Sequence, residues 1–145
     1  MGIATDGDGG GCGIILENGD WLDIQSMSLV LLWHLIEQKE IRGNILKSSI
    51  IPDSVSRAIQ SKLMTVIETT PEDDPNEMSK PGWILGMSDK GEFSFGPELP
   101  ERDGILTGLL FTEMVAISGR PLRMLVDTIQ RAAGRAGQLS IDKNS

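Results

Sequence analysis

The amino-acid sequence predicts an α/β domain in which helices cover a mixed or parallel sheet. Short segments rich in β-forming residues alternate along the chain with helical segments, the order that is typical of α/β folds. The chain has 145 residues, the size of one compact domain. Apolar residues make up 39% and charged residues 23% of the chain, which excludes a wholly disordered protein.

The N-terminal region predicts a ligand-facing loop followed by a strand. Residues 2–13 are dense in glycine and predict a loop whose backbone is open to a ligand or an ion. Residues 14–16 are apolar and predict a short strand. The Asn18-Gly19 pair that follows is typical of a hairpin turn.

A helix is predicted next, over residues 28–41. Its apolar residues recur at the i, i+3, i+4, i+7 spacing of one helix face, namely Leu29, Leu32, Trp33 and Ile36. Gly43 and Asn44 end this helix. Residues 45–51 are rich in β-forming side chains and predict a buried strand.

The middle of the chain predicts a helix, a strand and a loop. Pro52 opens a helix with one face formed by residues spaced four apart: Val55, Ile59 and Leu63. Residues 65–68 predict a second strand. Residues 69–82 hold three prolines and a cluster of acids, which predicts a surface loop. Residues 91–96 predict a short strand or a turn.

The C-terminal part predicts two helices. Asp103 is placed to cap a helix of about residues 104–117, because a carboxylate at a helix N-terminus accepts the free N–H groups. Gly119 ends that helix, and Pro121 begins a last helix that extends to about Ala133.

The charge balance and the cysteine count restrict the classes of partner and the cellular compartment that we expect. Thirteen basic and 21 acidic residues give a net charge of −8, which repels nucleic-acid phosphates and anionic lipids. We therefore expect neither nucleic acid nor a membrane as partner. The single Cys12 excludes an internal disulfide, and the first residues carry no secretory signal. We expect a cytoplasmic location.

Asp6 and Asp8 lie two residues apart in the glycine-rich loop and can converge on one hard cation. With Glu17 they match positions 1, 3 and 12 of an EF-hand loop, but Gly10 occupies an oxygen-ligand position and too few residues precede Asp6 for an entering helix. A phosphate-binding loop lacks its Gly-Lys-Ser/Thr sequence here. A magnesium ion that bridges to a phosphate is the third interpretation.

Several segments in the same order resemble the α-D-phosphohexomutases, the relatives of phosphoglucomutase and phosphomannomutase. Ala4-Thr5-Asp6-Gly7-Asp8-Gly9 is similar to the family's magnesium loop. The later matches are residues 43–48 (GNILKS), 91–96 (GEFSFG), 99–106 (LPERDGIL) and 119–122 (GRPL). The resemblance covers about residues 2–130.

The resemblance implies a fold, an activity and roles for individual residues. It implies the three-layer α/β/α sandwich with a mixed sheet of the family's third domain. In the family, an enzyme phosphoserine exchanges phosphate with a hexose phosphate, and Mg²⁺ stabilises the transferred charge. Carried over, Asp6 and Asp8 are metal ligands, Glu92 and Ser94 bind sugar hydroxyls, and Lys47 is the catalytic candidate, a cation or proton donor near the reacting group.

The resemblance also divides the chain. Residues 1–22 correspond to a metal-loop segment at the end of the family's second domain. Residues 23–134 correspond to the third domain, and residues 135–145 form a polar tail.

Departures from the family pattern shape the expected function. Gly10 and Gly11 stand where the family has aspartate and arginine, so Mg²⁺ binding is expected to be weak or lost. The family's Thr/Ser-Ala-Ser-His motif and C-terminal domain are not matched. We expect a fragment or truncated relative of a phosphohexomutase, not competent for catalysis alone. Its partners would be a hexose phosphate and the remaining mutase domains or another protein. The alternative is a non-catalytic binding or regulatory module.

Some side chains have a simpler interpretation. Without the resemblance, Lys47 is a charged strand end, and Arg102 is a surface residue or an ion-pair partner. His34 is predicted to pack on a helix face, and Cys12 to be a small buried residue. The methionines at helical spacing are predicted to lie in the core: Met27, Met114 and Met124.

Overall fold

The structure of the protein, a computed structural model, describes residues 1–49, 64–70 and 77–142. Its first elements are an antiparallel pair, β1 (Gly2–Thr5) and β2 (Cys12–Ile15), joined by a loop of residues 6–11, here called the 6–11 loop. The predicted loop over residues 2–13 is therefore confirmed only in its centre, because the flanking backbone groups pair with each other. The Asn18-Gly19 turn is present, and Gly19 adopts the left-handed φ of +89° that such a turn needs.

The main sheet is mixed, as predicted. Its strands are β3 (Asn44–Ser48), β4 (Val66–Thr69), β5 (Trp83–Met87) and β6 (Phe93–Ser94), in the spatial order β4-β3-β5-β6. The first three are parallel to one another, and β6 is antiparallel to β5. The sequence did not predict β5, because this strand is buried along nearly its whole length and shows no polar–apolar alternation.

Helices pack against this framework. They are α1 (Ile24–Trp33), which continues as a π-helical turn (His34–Gln38), α2 (Gly104–Ser118) and α3 (Leu122–Asp142). α1 begins four residues before the predicted start, because the Asp23 carboxylate accepts the Ser26 N–H at 2.9 Å and caps the helix. The predicted helix from Pro52 lies outside the described residues.

The C-terminal helices have the predicted caps. Asp103 Oδ1 accepts the Leu106 N–H at 2.7 Å, and Gly119 ends α2 with a left-handed φ of +62°. α3 extends beyond Ala133, its predicted end. No single helix within the described part of the chain is both long and apolar enough to cross a membrane. Only α2 joined to residues 122–134 meets that requirement as a pair, and the chain bends by 92° between them.

One apolar core joins the hairpin, the sheet and the three helices. Its fully enclosed members are Ile14, Val30, Leu31, Ile45, Leu85, Phe111 and Leu122. The predicted burial of Cys12, Met27 and Met114 is confirmed. The prediction for Met124 is wrong, since its side chain lies on the outer face of α3 and is 54% exposed.

His34 is buried, and it connects the end of α1 to α2. Its Nε2 lies 2.7 Å from Glu113 Oε2, while Lys39 Nζ lies 2.9 Å from Glu113 Oε1. These hydrogen bonds, first that from Lys39 and then that from His34, hold the pKa of the Glu113 carboxyl below its ordinary value. His34 Nδ1 has no hydrogen-bond partner among the described residues.

Glu17 caps α3 from a distance of more than 100 residues in the sequence. Its Oε1 accepts the Leu122 N–H at 2.7 Å, and its Oε2 accepts the Arg123 N–H at 3.3 Å. Burial raises the pKa of the Glu17 carboxyl, but hydrogen bonds from its own N–H and from these two residues outweigh that effect, so the pKa lies below its ordinary value. This contact ties the turn after β2 to the last helix.

We expect Glu17→Gln to lower the free energy of unfolding by about 0.5–1 kcal/mol at neutral pH, the usual effect of losing a helix cap. Because the folded-state pKa is depressed, the stabilisation by the carboxylate is complete above the unfolded-state pKa of about 4.3 and is lost as the pH falls through the folded-state pKa. The difference from wild type should therefore shrink in acid. Urea unfolding between about pH 7 and pH 3 measures it.

The matched control is Glu101→Gln, which removes the same charge from an exposed residue. A gap between wild type and Glu17→Gln that stays constant down to the lowest pH would contradict a role for the ionised cap.

Candidate functional site

Three segments that lie far apart in the sequence meet at one place. The Gly104 N–H, at the start of α2, donates to the Gly9 carbonyl of the 6–11 loop at 2.8 Å. The Asp103 N–H donates to the Phe93 carbonyl of β6 at 2.9 Å. Gly11 pairs with Glu92 as an isolated antiparallel bridge. Three of the motifs that carry the family resemblance are thus held together by backbone hydrogen bonds.

Gly104 is required by this close approach. A Cβ atom at this position would lie 2.3 Å from the Gly11 carbonyl oxygen and 2.8 Å from that of Gly9. Both atoms belong to the backbone and cannot rotate away. Only glycine therefore lets the 6–11 loop lie directly against the first turn of α2.

A pocket opens next to this junction, at the carboxyl ends of the parallel strands. It holds about 430 Å³ of empty space, part of which is open to solvent. Polar residues predominate among those that line it: Ser48, Thr69, Thr70, Met87, Ser88, Asp89, Lys90, Glu92 and Arg102. The carboxyl ends of parallel strands are where open α/β sheets bind their ligands.

Of the predicted sugar-binding pair, only Glu92 lines the pocket. Its Oε2 lies 3.0 Å from Arg102 Nη1 and accepts the Ser88 hydroxyl at 3.1 Å. Ser94 pairs with Gly86 within the sheet and is only 2% exposed. The two predicted residues are thus close in sequence but differ in access to solvent.

Lys47 lies inside the sheet, one residue before the pocket-lining Ser48. Its side chain is 1% exposed, and its Nζ lies 2.9 Å from Glu68 Oε1 on the neighbouring strand. The interpretation of Lys47 as a simple charged strand end is wrong, because the strand is central and both of its faces are covered. The ammonium group is not among the groups that line the pocket.

Asp6 and Asp8 are engaged within their own loop. Both carboxylate oxygens of Asp6 lie 3.0 Å from the Gly11 nitrogen, and Asp8 Oδ1 accepts the Gly10 N–H at 3.1 Å. Hydrogen bonds from Gly10 and with the Asp6 carboxyl lower the pKa of Asp8. A Cβ atom at Gly11 would lie 2.5 Å from Asp6 Oδ2, so the loop closes tightly on a glycine.

The loop does not form a complete metal site from this chain's described residues. Within residues 1–49, 64–70 and 77–142, no group of three or more His, Cys, Asp or Glu side chains is placed to hold a metal ion. The Asp6 and Asp8 carboxylates keep further lone pairs beside these N–H contacts, and two carboxylates can hold Mg²⁺ only together with other oxygen ligands such as those of a phosphate. The EF-hand interpretation is wrong, since Glu17 caps α3 instead of joining the loop.

The sequence did not connect Glu92 with the residues that hold it. Arg102 was expected to be either a surface residue or an ion-pair partner, and the ion pair is confirmed. Ser88 and Glu68 carried no signal in the sequence, because a single serine or glutamate beside a loop has no characteristic pattern. Strand register places Glu68 beside Lys47, and a turn of the chain brings Ser88 to Glu92.

Comparison with known proteins agrees with this architecture. The family described as phosphoglucomutase/phosphomannomutase, alpha/beta/alpha domain III, matches residues 25–132. The chain is 30% identical over 128 residues to a phosphoglucosamine mutase of Exiguobacterium sp., covering 86% of this chain and 28% of that protein. It is 28% identical over 134 residues to a phosphoglucosamine mutase of Arthrobacter sp., covering 90% of this chain and 30% of that protein.

A solved structure extends the comparison to three dimensions. The crystal structure of a putative phosphomannomutase from Thermus thermophilus superimposes with a TM-score of 0.80 at 29% identity, covering 91% of this chain and 30% of that one. The chain thus spans about 30% of the length of these relatives. It belongs to the phosphoglucomutase/phosphomannomutase family, and its α/β/α fold is that of the family's domain III.

Proposed function

We propose that this chain supplies the sugar-recognition part of a phosphohexomutase, with Glu92 as the acceptor for hydroxyl groups of a hexose phosphate. The observation that carries the proposal is the carboxylate of Glu92, which lines the pocket at the carboxyl ends of β3, β4 and β5. A carboxylate held in a partly shielded pocket forms strong hydrogen bonds with hydroxyl donors. The phosphoglucosamine mutases among the relatives make an amino-hexose phosphate a suitable member of that class.

Ser94 and Lys47 have less direct parts in this proposal. Ser94 would contact the sugar only after a movement that exposes its hydroxyl, since it is 2% exposed. Lys47 would act as a cation or proton donor only by exchanging its contact with Glu68. Glu92 alone is already in place to meet a ligand.

Asp6 and Asp8 belong to the proposal as the remains of a magnesium loop. Gly104 and Gly11 let the loop keep a tight, hydrogen-bonded shape against α2. Two carboxylates without a third leave few protein ligands for an ion that is held by carboxylates together with phosphate oxygens. We infer that Mg²⁺ binds this chain weakly or not at all.

Phosphoryl transfer would need groups beyond those of this chain. Covalent phosphoryl exchange uses an activated nucleophile, and the sequence lacks the Thr/Ser-Ala-Ser-His motif in which the family carries its phosphoserine. The remaining domains of a mutase would supply that serine. The chain alone is therefore proposed to bind a hexose phosphate without converting it.

We expect Glu92→Ala to weaken the binding of glucose 1-phosphate by roughly 10- to 100-fold, the loss that follows removal of a charged hydrogen-bond acceptor. Isothermal titration calorimetry of the purified chain measures the dissociation constant. Glu98→Ala, which removes an exposed carboxylate outside the pocket lining, is the matched control and should bind like wild type.

A non-catalytic binding or regulatory module is the second candidate. The glycines at positions 10 and 11 favour it, because they remove two side chains from the metal loop without disturbing its backbone contacts. If glucose 1-phosphate gives the same heat with wild type and with Glu92→Ala, the sugar site is excluded and this second function is favoured.

A further inference from the structure

Glu92 is held by an arginine ten residues later in the chain. Arg102 Nη1 lies 3.0 Å from Glu92 Oε2, and the two side chains are 36% and 22% exposed, so the pair is partly shielded from solvent. Both residues line the same pocket. We propose that Arg102 is the positioning residue that orients the Glu92 carboxylate for ligand binding, an inference that rests on the proposed sugar site.

The backbone that carries Arg102 is fixed from two sides. The next residue, Asp103, donates its N–H to Phe93 of β6, and Gly104 donates to Gly9 of the 6–11 loop. Arg102 also lies against Gly10, where a Cβ atom would be 3.7 Å from the Arg102 Cβ. The arginine side chain therefore begins from a defined point between the loop and β6, and it reaches Glu92 from the α2 side of the pocket.

The Ser88 hydroxyl is a second group that orients the Glu92 carboxylate. The Ser88 hydroxyl donates to Glu92 Oε2 at 3.1 Å, and the same hydroxyl oxygen accepts the Lys90 N–H at 3.2 Å. Because the Lys90 N–H occupies a lone pair of the Ser88 oxygen, the hydroxyl proton is directed to Glu92. The Arg102 guanidinium and the Ser88 hydroxyl both lie at Oε2, and we expect Oε1 to accept a hydroxyl group from the ligand.

A positioning role for Arg102 predicts how this residue contributes to the free energy of ligand binding. A glutamate side chain has several rotamers, and fixing one of them before the ligand arrives reduces the entropy lost on binding. Arg102 acts in this way without touching the ligand. Its contribution to affinity must therefore disappear when Glu92 is absent, whereas an arginine that binds the ligand directly would contribute in either background.

The test is a double-mutant cycle read by calorimetry with glucose 1-phosphate. The proteins are the full chain, Glu92→Ala, Arg102→Met, Arg102→Lys and the double variant Glu92→Ala/Arg102→Met. Arg120→Met is the matched control, since it removes an exposed arginine remote from the pocket lining. Thermal unfolding of each variant reports whether the fold is kept.

We expect Arg102→Met to weaken binding roughly tenfold and Arg102→Lys, which keeps a cation, to stay within about threefold of wild type. The double variant should bind no more weakly than Glu92→Ala alone. An equal loss from Arg102→Met in both backgrounds would overturn the inference, because Arg102 would then contact the ligand itself. A loss with Arg102→Lys as large as with Arg102→Met would overturn it as well, since positioning by charge predicts partial rescue.

The same measurements distinguish failure of the proposed sugar site from failure of the positioning role of Arg102. If Glu92→Ala binds glucose 1-phosphate as wild type does, or if wild type does not bind it, the sugar site itself is wrong. If Glu92→Ala loses binding and Arg102→Met does not, only the positioning role of Arg102 is wrong.

Discussion

Gly104→Ala is expected to lower the free energy of unfolding by about 3 kcal/mol, at the upper end of the usual cost of overpacking. The added methyl carbon would lie 2.3 Å from the Gly11 carbonyl oxygen and 2.7 Å from its carbon, distances that require the backbone to move. The movement separates the 6–11 loop from α2 and breaks the hydrogen bond from Gly104 to Gly9. Urea unfolding followed by circular dichroism measures the loss.

Gly134→Ala is the matched control for this variant. Gly134 is an exposed residue of α3, and a Cβ atom there meets nothing within 4 Å. Alanine is the better helix former, so this change should raise the free energy of unfolding by up to about 1 kcal/mol. The same substitution thus has opposite signs at two helical glycines. If both variants proved equally stable, close contact between loop and helix would not be what selects Gly104.

Glu68→Ala is expected to lower the free energy of unfolding by about 2–3 kcal/mol. It removes the carboxylate that lies 2.9 Å from the Lys47 ammonium group, whose side chain is 1% exposed. Breaking a fully buried pair costs about 3–5 kcal/mol, and the smaller figure applies here because Glu68 is 57% exposed. Chemical denaturation at neutral pH measures the effect.

Lys47→Met separates the charge from the space that the side chain fills. It removes the cation and keeps most of the volume, so we expect a change within about 1 kcal/mol of wild type. The double variant Lys47→Met/Glu68→Ala should recover most of the stability that Glu68→Ala loses. A Lys47→Met variant as unstable as Glu68→Ala would instead show that the ammonium group itself stabilises the strand.

The sequence predictions agree with the structure where an element depends on residues that are neighbours in the chain. α2 was predicted with its cap and its end, because Asp103 and Gly119 act on backbone groups within one helical turn. The start of α1 was predicted four residues too late. The prediction relied on the apolar spacing that begins at Leu29, whereas the helix is capped by Asp23, an N-cap residue of ordinary type. β5 was missed because a strand buried on both faces has no alternation to reveal it.

At the candidate site, the sequence predicted the motifs but not the contacts between them. Its motifs occur in order along the chain, and the family resemblance implied a sugar-binding role for Glu92. The contacts that hold Glu92 were not predicted, because Ser88 and Arg102 reach it through a turn and through the packing of α2. Strand register likewise placed Lys47 opposite Glu68.

The sequence by itself determined the α/β class, the family and the ends of α2, since these follow from composition, motif order and local hydrogen bonding. Only the tertiary structure decided that Glu17 caps α3 and that Lys47 is buried. The physical reason is that burial and hydrogen-bond partners are set by the docking of elements distant in the chain. A local sequence pattern does not predict which distant backbone groups will lie within hydrogen-bond distance of a given side chain.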